Sequence, residues 1–153
     1  MIVIGSDHGG RALKDAIVAY LRERECDVND IGTRDDNSVD YPDFGIRVAE
    51  LVSSGKAEKG ILVCGTGIGM SIVANKFPRV RAALVTDEFT ARMAKEHNNA
   101  NILVMGGRVL SPDQATVMVG IWLDAAFEAG RHQRRLDKIA ELEDRLCGTD
   151  AKR

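Results

Sequence analysis

Short apolar runs alternate with stretches of helical periodicity along this chain, and that alternation limits the folds open to it. The runs are Met1–Gly5, a weaker one near Cys26–Ile31, Gly60–Cys64, Ala82–Val85 and Ile102–Met105. Between them, Leu13, Ile17, Tyr20 and Leu21 form one stripe of a helix over 11–24, and further helices are expected over 43–54, after the glycine turn at 65–69 to about Lys76, and over 87–98. Ser111, Pro112 and Gln114 have the spacing of N-cap, N1 and N3, which predicts a capped helix from 112 to about 129. The tail over 132–147 carries Leu136, Ile139, Leu142 and Leu146 at a/d-like spacing. Continuous apolar strands alternating with helices imply a parallel sheet covered on both faces. The expected architecture is α/β: one doubly wound, Rossmann-like domain over 1–153, with five parallel strands and helices on both faces. Such sheets bind ligands beyond the carboxyl ends of their strands.

Composition narrows the function classes. A chain of 153 residues fits one domain. A net charge of −2 argues against a nucleic-acid binder that relies on a global positive field. Cys26, Cys64 and Cys147 are odd in number, widely spaced and without a C-x-x-C, which suits a reducing cytoplasm. No charged leader precedes Ile2, and no run approaches the ~18 apolar residues of a membrane span. Neither a signal peptide nor a membrane partner is therefore expected.

The chemistry-bearing residues gather at the ends of elements. The first strand leads into GSDHGG (5–10), the third into CGTGIG (64–69), the fifth into GGR (106–108); the helix after the fourth ends in HNN (97–99). The expectation is that most of these clusters share one rim. Cys64 is the last strand residue before a glycine-rich turn that opens a helix, a position where the helix dipole favours a thiolate; a buried structural cysteine is the alternative. Cys26 and Cys147 lack such a setting and read as inert. The glycines at 65, 67 and 69 let backbone N–H groups face an anion, either a phosphate or a developing oxyanion, although a plain tight turn would need the same residues. The loop lacks the Gly-Lys-Ser/Thr ending of a P-loop, and Met70 fills the last glycine position of G-x-G-x-x-G. Asp87 nonetheless mimics the ribose-binding acid of dinucleotide folds. A zinc site from Asp7, His8, Cys64 and His97 is conceivable, but no pair has short ligand spacing. Arg131 and Arg135, four apart, can clamp one phosphate from a single helix face, with Arg108 and Arg134 as further candidates; a solvated basic face is the alternative.

Taken together, GSDHGG (5–10), SVDYP (38–42), GILVCGTGIGMS (60–71), HNNAN (97–101), GRV (107–109) and GRHQ (130–133) resemble the type B ribose-5-phosphate isomerase family, which also includes galactose-6-phosphate isomerase subunits. The resemblance runs from Met1 to about Leu142. It implies an aldose–ketose isomerase in which Cys64 carries the proton between C2 and C1. Asp7 and His97 would assist ring opening and proton traffic. Thr66 and the backbone of Gly65, Gly67, Ile68 and Gly69 would hold the enediolate oxygens. Asn98 and Tyr41 would contact the sugar, and His8, Arg108, Arg131 and Arg135 the phosphate. The resemblance further implies a homodimer or homotetramer whose tail helix, 132–147, reaches a partner's site, and no metal or organic cofactor. Ribose 5-phosphate is the expected substrate, a four- or six-carbon phosphate the alternative, and the loop over 32–45 the expected determinant of sugar length. Two other classes stay open at this level. One is a nucleotide- or phosphate-binding module built on the glycine loop and Asp87. The other is an interaction protein whose apolar helix, with Met118, Ile121, Trp122 and Phe127, serves as a dimer surface.

Overall fold

The computed structural model describes residues 1–149. Five strands, β1 (Ile2–Ser6), β2 (Val28–Asp30), β3 (Lys59–Cys64), β4 (Ala82–Leu84) and β5 (Ile102–Gly106), pair in parallel in the order β2-β1-β3-β5-β4. The helices are α1 (Arg11–Glu23), α2 (Tyr41–Ser53), α3 (Ile68–Ala74), α4 (Glu88–Glu96), α5 (Pro112–Asp124) and α6 (Arg131–Thr149), with a 3-10 turn at His8–Gly10. β1, β3 and β5 are buried almost throughout, as expected of strands covered on both faces.

Alternation along each strand divides the core in two. Ile2, Ile4, Ile61, Val63, Leu103 and Met105 face α1, α4 and α5, whose Leu13, Ile17, Leu21, Ala91, Met118 and Trp122 complete that layer. Val3, Leu62, Cys64, Ile102 and Val104 face α2 and α3, represented by Val48, Val52, Met70 and Ala74. The Cys64 side chain therefore belongs to the α2/α3 face.

Parallel topology also fixes two rims. Every strand ends at the carboxyl rim, and each following helix returns the chain to the amino rim. The rims are separated by the length of a five-residue strand, roughly 15 Å.

Two helix limits depart most from the sequence reading. α2 begins at Tyr41, with Pro42 in its first turn, two residues before the expected start. α5 stops at Asp124 rather than near Ala129, and an extended stretch leads to Ala129 and Gly130, both at positive φ, before α6. Its predicted start is correct: Ser111 and Gln114 form a reciprocal capping box. The apolar side of α5 is not a docking surface. Met118 and Trp122 are fully buried, and the indole N–H donates to the Ala100 carbonyl at 3.1 Å. Large exposed apolar side chains lie on α3 (Ile68, Ile72), β4 (Leu84), α4 (Phe89) and α6 (Ile139, Leu142, Leu146), and α5 adds only Val117.

Gly10 shows how tightly the carboxyl rim is built. A Cβ there would stand 2.5 Å from the Val63 carbonyl oxygen, a backbone atom that cannot swing aside. Gly10→Ala is expected to destabilise the fold by about 1–3 kcal/mol, the usual cost of overpacking, read as a lower urea midpoint with an unchanged m-value.

Candidate active site

The turn after β3 places the sulfur. Gly67 takes φ +80, a conformation open to glycine at little cost, and this bends the chain so that its amide N–H donates to Cys64 Sγ at 3.1 Å. The positive end of that N–H dipole is thus aimed at the sulfur. α3 has only seven residues, so this direct bond, more than a macrodipole, is what Cys64 meets. The turn is tied to the strand-5 loop by Gly107 N–H to the Cys64 carbonyl at 2.8 Å and Arg108 N–H to the Gly65 carbonyl at 2.9 Å.

A cleft of about 230 Å³ opens over this turn, lined by Asp7, His8, Gly9, Tyr41, Cys64, Gly65, Thr66, Gly69 and Arg108. Cys64 is 5 % exposed and borders the cleft, so it is neither sealed in the core nor free in solvent. Asp7 caps the 3-10 turn, accepting the Gly10 N–H at 2.9 Å. The His8 Nδ1 accepts the Val39 N–H at 3.2 Å. When that imidazole is neutral, its proton therefore sits on Nε2. Thr66 Oγ1 accepts the Ile68 N–H at 3.4 Å, and the Tyr41 ring rests against Gly69.

The loop that supplies Val39 is itself anchored. Lys14, 2 % exposed, bridges Asp30 at 2.7 Å and Asp15 at 2.8 Å. Asp30 also accepts the Gly32 N–H, and Arg11 holds Asp36 by two contacts at 2.7 and 3.0 Å.

The remaining expected residues lie elsewhere. His97 and Asn98 follow α4, and Asn101 just beyond them hydrogen-bonds Gly60 and Arg81 at the strand starts. α6 begins after α5 has returned to the same edge, and Glu128 N–H donates to the Glu96 carbonyl. His97, Asn98, Arg131 and Arg135 are therefore at the amino rim. Three of the four expected clusters share the carboxyl rim, and the fourth, at 97–99, does not: a helix end after a parallel strand must lie opposite the strand ends. The conceived zinc set of Asp7, His8, Cys64 and His97 fails for the same reason. Asp87 has a local task, since it caps α4 and accepts the Thr90 N–H at 2.7 Å in a capping box.

At the amino rim the imidazoles of His97 and His132 stack, with centroids 4.0 Å apart and planes 13° from parallel. Glu128 Oε2 lies 3.8 Å from His97 Nε2 and 3.5 Å from His132 Nε2. Arg131 Nε donates to His132 Nε2 at 3.4 Å. Glu128 went unremarked in the sequence; its i,i+4 relation to His132 was the available signal.

The family model described as Ribose/Galactose Isomerase matches residues 2–139. The chain belongs to that family. It is 43% identical over 144 residues to ribose-5-phosphate isomerase B of Escherichia coli (strain K12), covering 94% of this chain and 97% of the relative. Among solved structures, that of Clostridium thermocellum ribose-5-phosphate isomerase B superposes with a TM-score of 0.92 at 52% identity, covering 95% and 98% of the two chains. The Mycoplasma genitalium ribose-5-phosphate isomerase B with bound ribulose-5-phosphate gives 0.90 at 43% identity, covering 94% and 95%. The five-stranded parallel sheet is thus the family fold. Among the described residues, no helix is long and apolar enough to cross a membrane.

Burial first, then the charges of His97, Arg131 and Arg135, hold the His132 imidazole below its ordinary value of 6.5, with Glu128 opposing. A depressed folded value means that the unfolded chain binds more protons between that value and 6.5. The His132 contribution to stability is therefore fully present above 6.5 and is lost as pH falls through the folded value. Melting temperature is expected to decline on acidification from neutrality, with a shallower decline in His132→Gln. Scanning calorimetry from pH 7 to 5 measures both slopes.

Proposed function

We propose that this chain is an aldose–ketose isomerase interconverting ribose 5-phosphate and ribulose 5-phosphate, with Cys64 as the base. The observation that carries the reading is the cleft-lining sulfur that accepts the Gly67 N–H, in a chain whose relatives bear the name ribose-5-phosphate isomerase B. In the open-chain aldose the C2 proton is acidic only because its electrons can delocalise onto the C1 carbonyl. Cys64 as thiolate takes that proton and leaves an enediolate; the C2 hydroxyl proton passes to O1, and the thiol returns its proton to C1. Atoms and electrons balance within the sugar, and the transfers as written use only groups of the polypeptide. A positioned base and N–H donors at the developing oxyanion are what such a step demands. Thr66 and the backbone of Gly65, Gly67, Ile68 and Gly69 supply the oxyanion side, and Asp7 assists opening of the furanose ring.

The phosphate needs cations. His8 and Arg108 border the cleft in the same chain. Arg131 and Arg135, together with His97 and Asn98, reach a cleft only if a second copy brings its amino rim against the carboxyl rim of the first. The site is accordingly shared between subunits of a homodimer or of a homotetramer built from such dimers, with α6 as the arm that crosses. The exposed apolar residues of α3, β4 and α6 supply a surface for that contact. Three free cysteines fit a reducing, cytoplasmic setting. The family description also names galactose, so a six-carbon aldose phosphate is the second substrate to assay.

Cys64→Ala is expected to lower turnover of ribose 5-phosphate by at least ~10²-fold, the scale of a lost general base, while calorimetry still detects sugar-phosphate binding. Full turnover in that variant would remove Cys64 from its role. Arg131→Ala and Arg135→Ala are expected chiefly to raise KM. Mixing inactive Cys64→Ala with inactive His97→Ala chains, then exchanging subunits, should restore about a quarter of wild-type activity, because random two-fold pairing leaves that share of sites intact. No recovery after demonstrated exchange would reject the shared site.

A further inference from the structure

Outside the cleft, the amino-rim triad stands out, because three lone-pair atoms converge there and Arg131 meets them by a single long contact. The ligand atoms of His97, Glu128 and His132 all lie within 4.8 Å of one another. The stacked rings present both Nε2 atoms to one carboxylate oxygen, at 3.8 and 3.5 Å. Bonds of 2.0–2.1 Å to a tetrahedral ion set its ligand atoms about 3.4 Å apart. The Glu128 oxygen is already within a few tenths of an ångström of that spacing from each nitrogen, but imidazole lone pairs lie in the ring planes, so an ion shared by both nitrogens requires the more exposed ring, His97, to swing out of the stack.

The chemistry of the atoms also points one way. Arg131 Nε donates to His132 Nε2, so this nitrogen carries a lone pair and not a proton. That lone pair has only the long Arg131 N–H at 3.4 Å, and with the Glu128 oxygen 3.5 Å away it makes a pair of acceptors that a cation between them would satisfy. Two imidazoles and one carboxylate suit ions such as Zn²⁺, Co²⁺ or Ni²⁺ and leave coordination positions open; Mg²⁺ and Ca²⁺ prefer all-oxygen shells. In the single chain the side chains of His97 and Glu128 are 36 % and 52 % exposed; in the assembly proposed above they face a neighbour's cleft, so an ion would enter by the route the sugar takes. The long Arg131 contact is the one bond an entering ion must displace.

We propose that His97, Glu128 and His132 form a binding site for a divalent transition-metal ion, and that occupancy inhibits the isomerase. The first half stands on the geometry alone. The second rests on the functional reading above, in which His97 serves the reaction: an imidazole whose lone pair is on a metal can no longer move a proton.

The test titrates wild-type protein with Co²⁺ in chelator-free buffer, following visible absorption and calorimetry. Turnover of ribose 5-phosphate is measured in parallel with Zn²⁺, with Mg²⁺ as control. One ion per chain is expected, with nitrogen- and oxygen-type d–d bands, at least tenfold weaker binding in Glu128→Gln and in His132→Asn, and inhibition by Zn²⁺ but not Mg²⁺ that chelator reverses. Glu128 is half-exposed, so its substitution does not threaten folding. Absence of binding, unchanged affinity in Glu128→Gln, or a sulfur-to-cobalt charge-transfer band would overturn the site. Binding to the triad without loss of turnover would overturn the inhibition. A protein that binds Co²⁺ at the triad yet turns over no sugar phosphate in metal-free buffer would count against the functional reading and leave the site intact.

Discussion

A single amide governs the chemistry available to this fold. The Gly67 N–H reaches Cys64 Sγ because the residue after Thr66 adopts positive φ, and positive φ there follows from ending β3 and starting α3 within three residues. A larger residue at 67 would be strained and would also press on Leu84 and the Met105 carbonyl group. Strand, turn and helix thus fix one sulfur at the bottom of a polar cleft, and the strand-5 loop locks the turn through its two backbone bonds. The remaining cleft residues are oriented by the same economy: Asp7 by its cap, His8 by the Val39 amide, Arg108 by its amide bond to Gly65.

Parallel topology then imposes a separation that local geometry cannot remove. Whatever sits at a strand end and whatever sits at the end of the following helix are a strand length apart. Cys64, Asp7, His8 and Arg108 are of the first kind; His97, Arg131 and Arg135 are of the second. A single copy of the chain holds the two sets on opposite rims, each incomplete on the proposed reading. A two-fold axis is the simplest operation that juxtaposes unlike rims of identical chains, and it creates two equivalent composite sites. On the proposed reading, catalysis is linked to assembly by topology, before any detail of the interface is considered.

The sequence carried much of this and lost the rest for identifiable reasons. Strands β1, β3 and β5 were plain, because central parallel strands are apolar without interruption. The capping box at Ser111 and the turn after Cys64 were readable as local chemistry. Three things were not. The end of α5 at Asp124 escaped, since Ala125–Ala129 has no helix breaker and only tertiary contacts, such as Glu128 N–H to the Glu96 carbonyl, pull it out of helix. The burial of Met118 and Trp122 was mistaken for a surface, because a mostly apolar helix gives little indication of which side meets the sheet. The place of His97 among the rim clusters was a topological slip: element order told that His97 ends a helix, and direction alone places it away from Cys64.

The amino-rim cluster shows what that separation costs a free chain. His97 and His132 stack, Glu128 faces both, and Arg131 leans on one ring. Such a group is badly matched in isolation: two aromatic bases share one carboxylate, while burial first and then the cations beside it lower the affinity of His132 for a proton. A phosphorylated sugar would relieve this arrangement, since its anionic end takes up the arginines and its hydroxyls supply hydrogen-bonding partners to the imidazoles. A transition-metal ion would relieve it in another way, by occupying the lone pairs directly. Both follow from the same imbalance, and they exclude each other because they compete for His97. On the proposed readings, the feature that would equip this rim to complete a neighbour's cleft is also the feature that would expose it to capture by a metal.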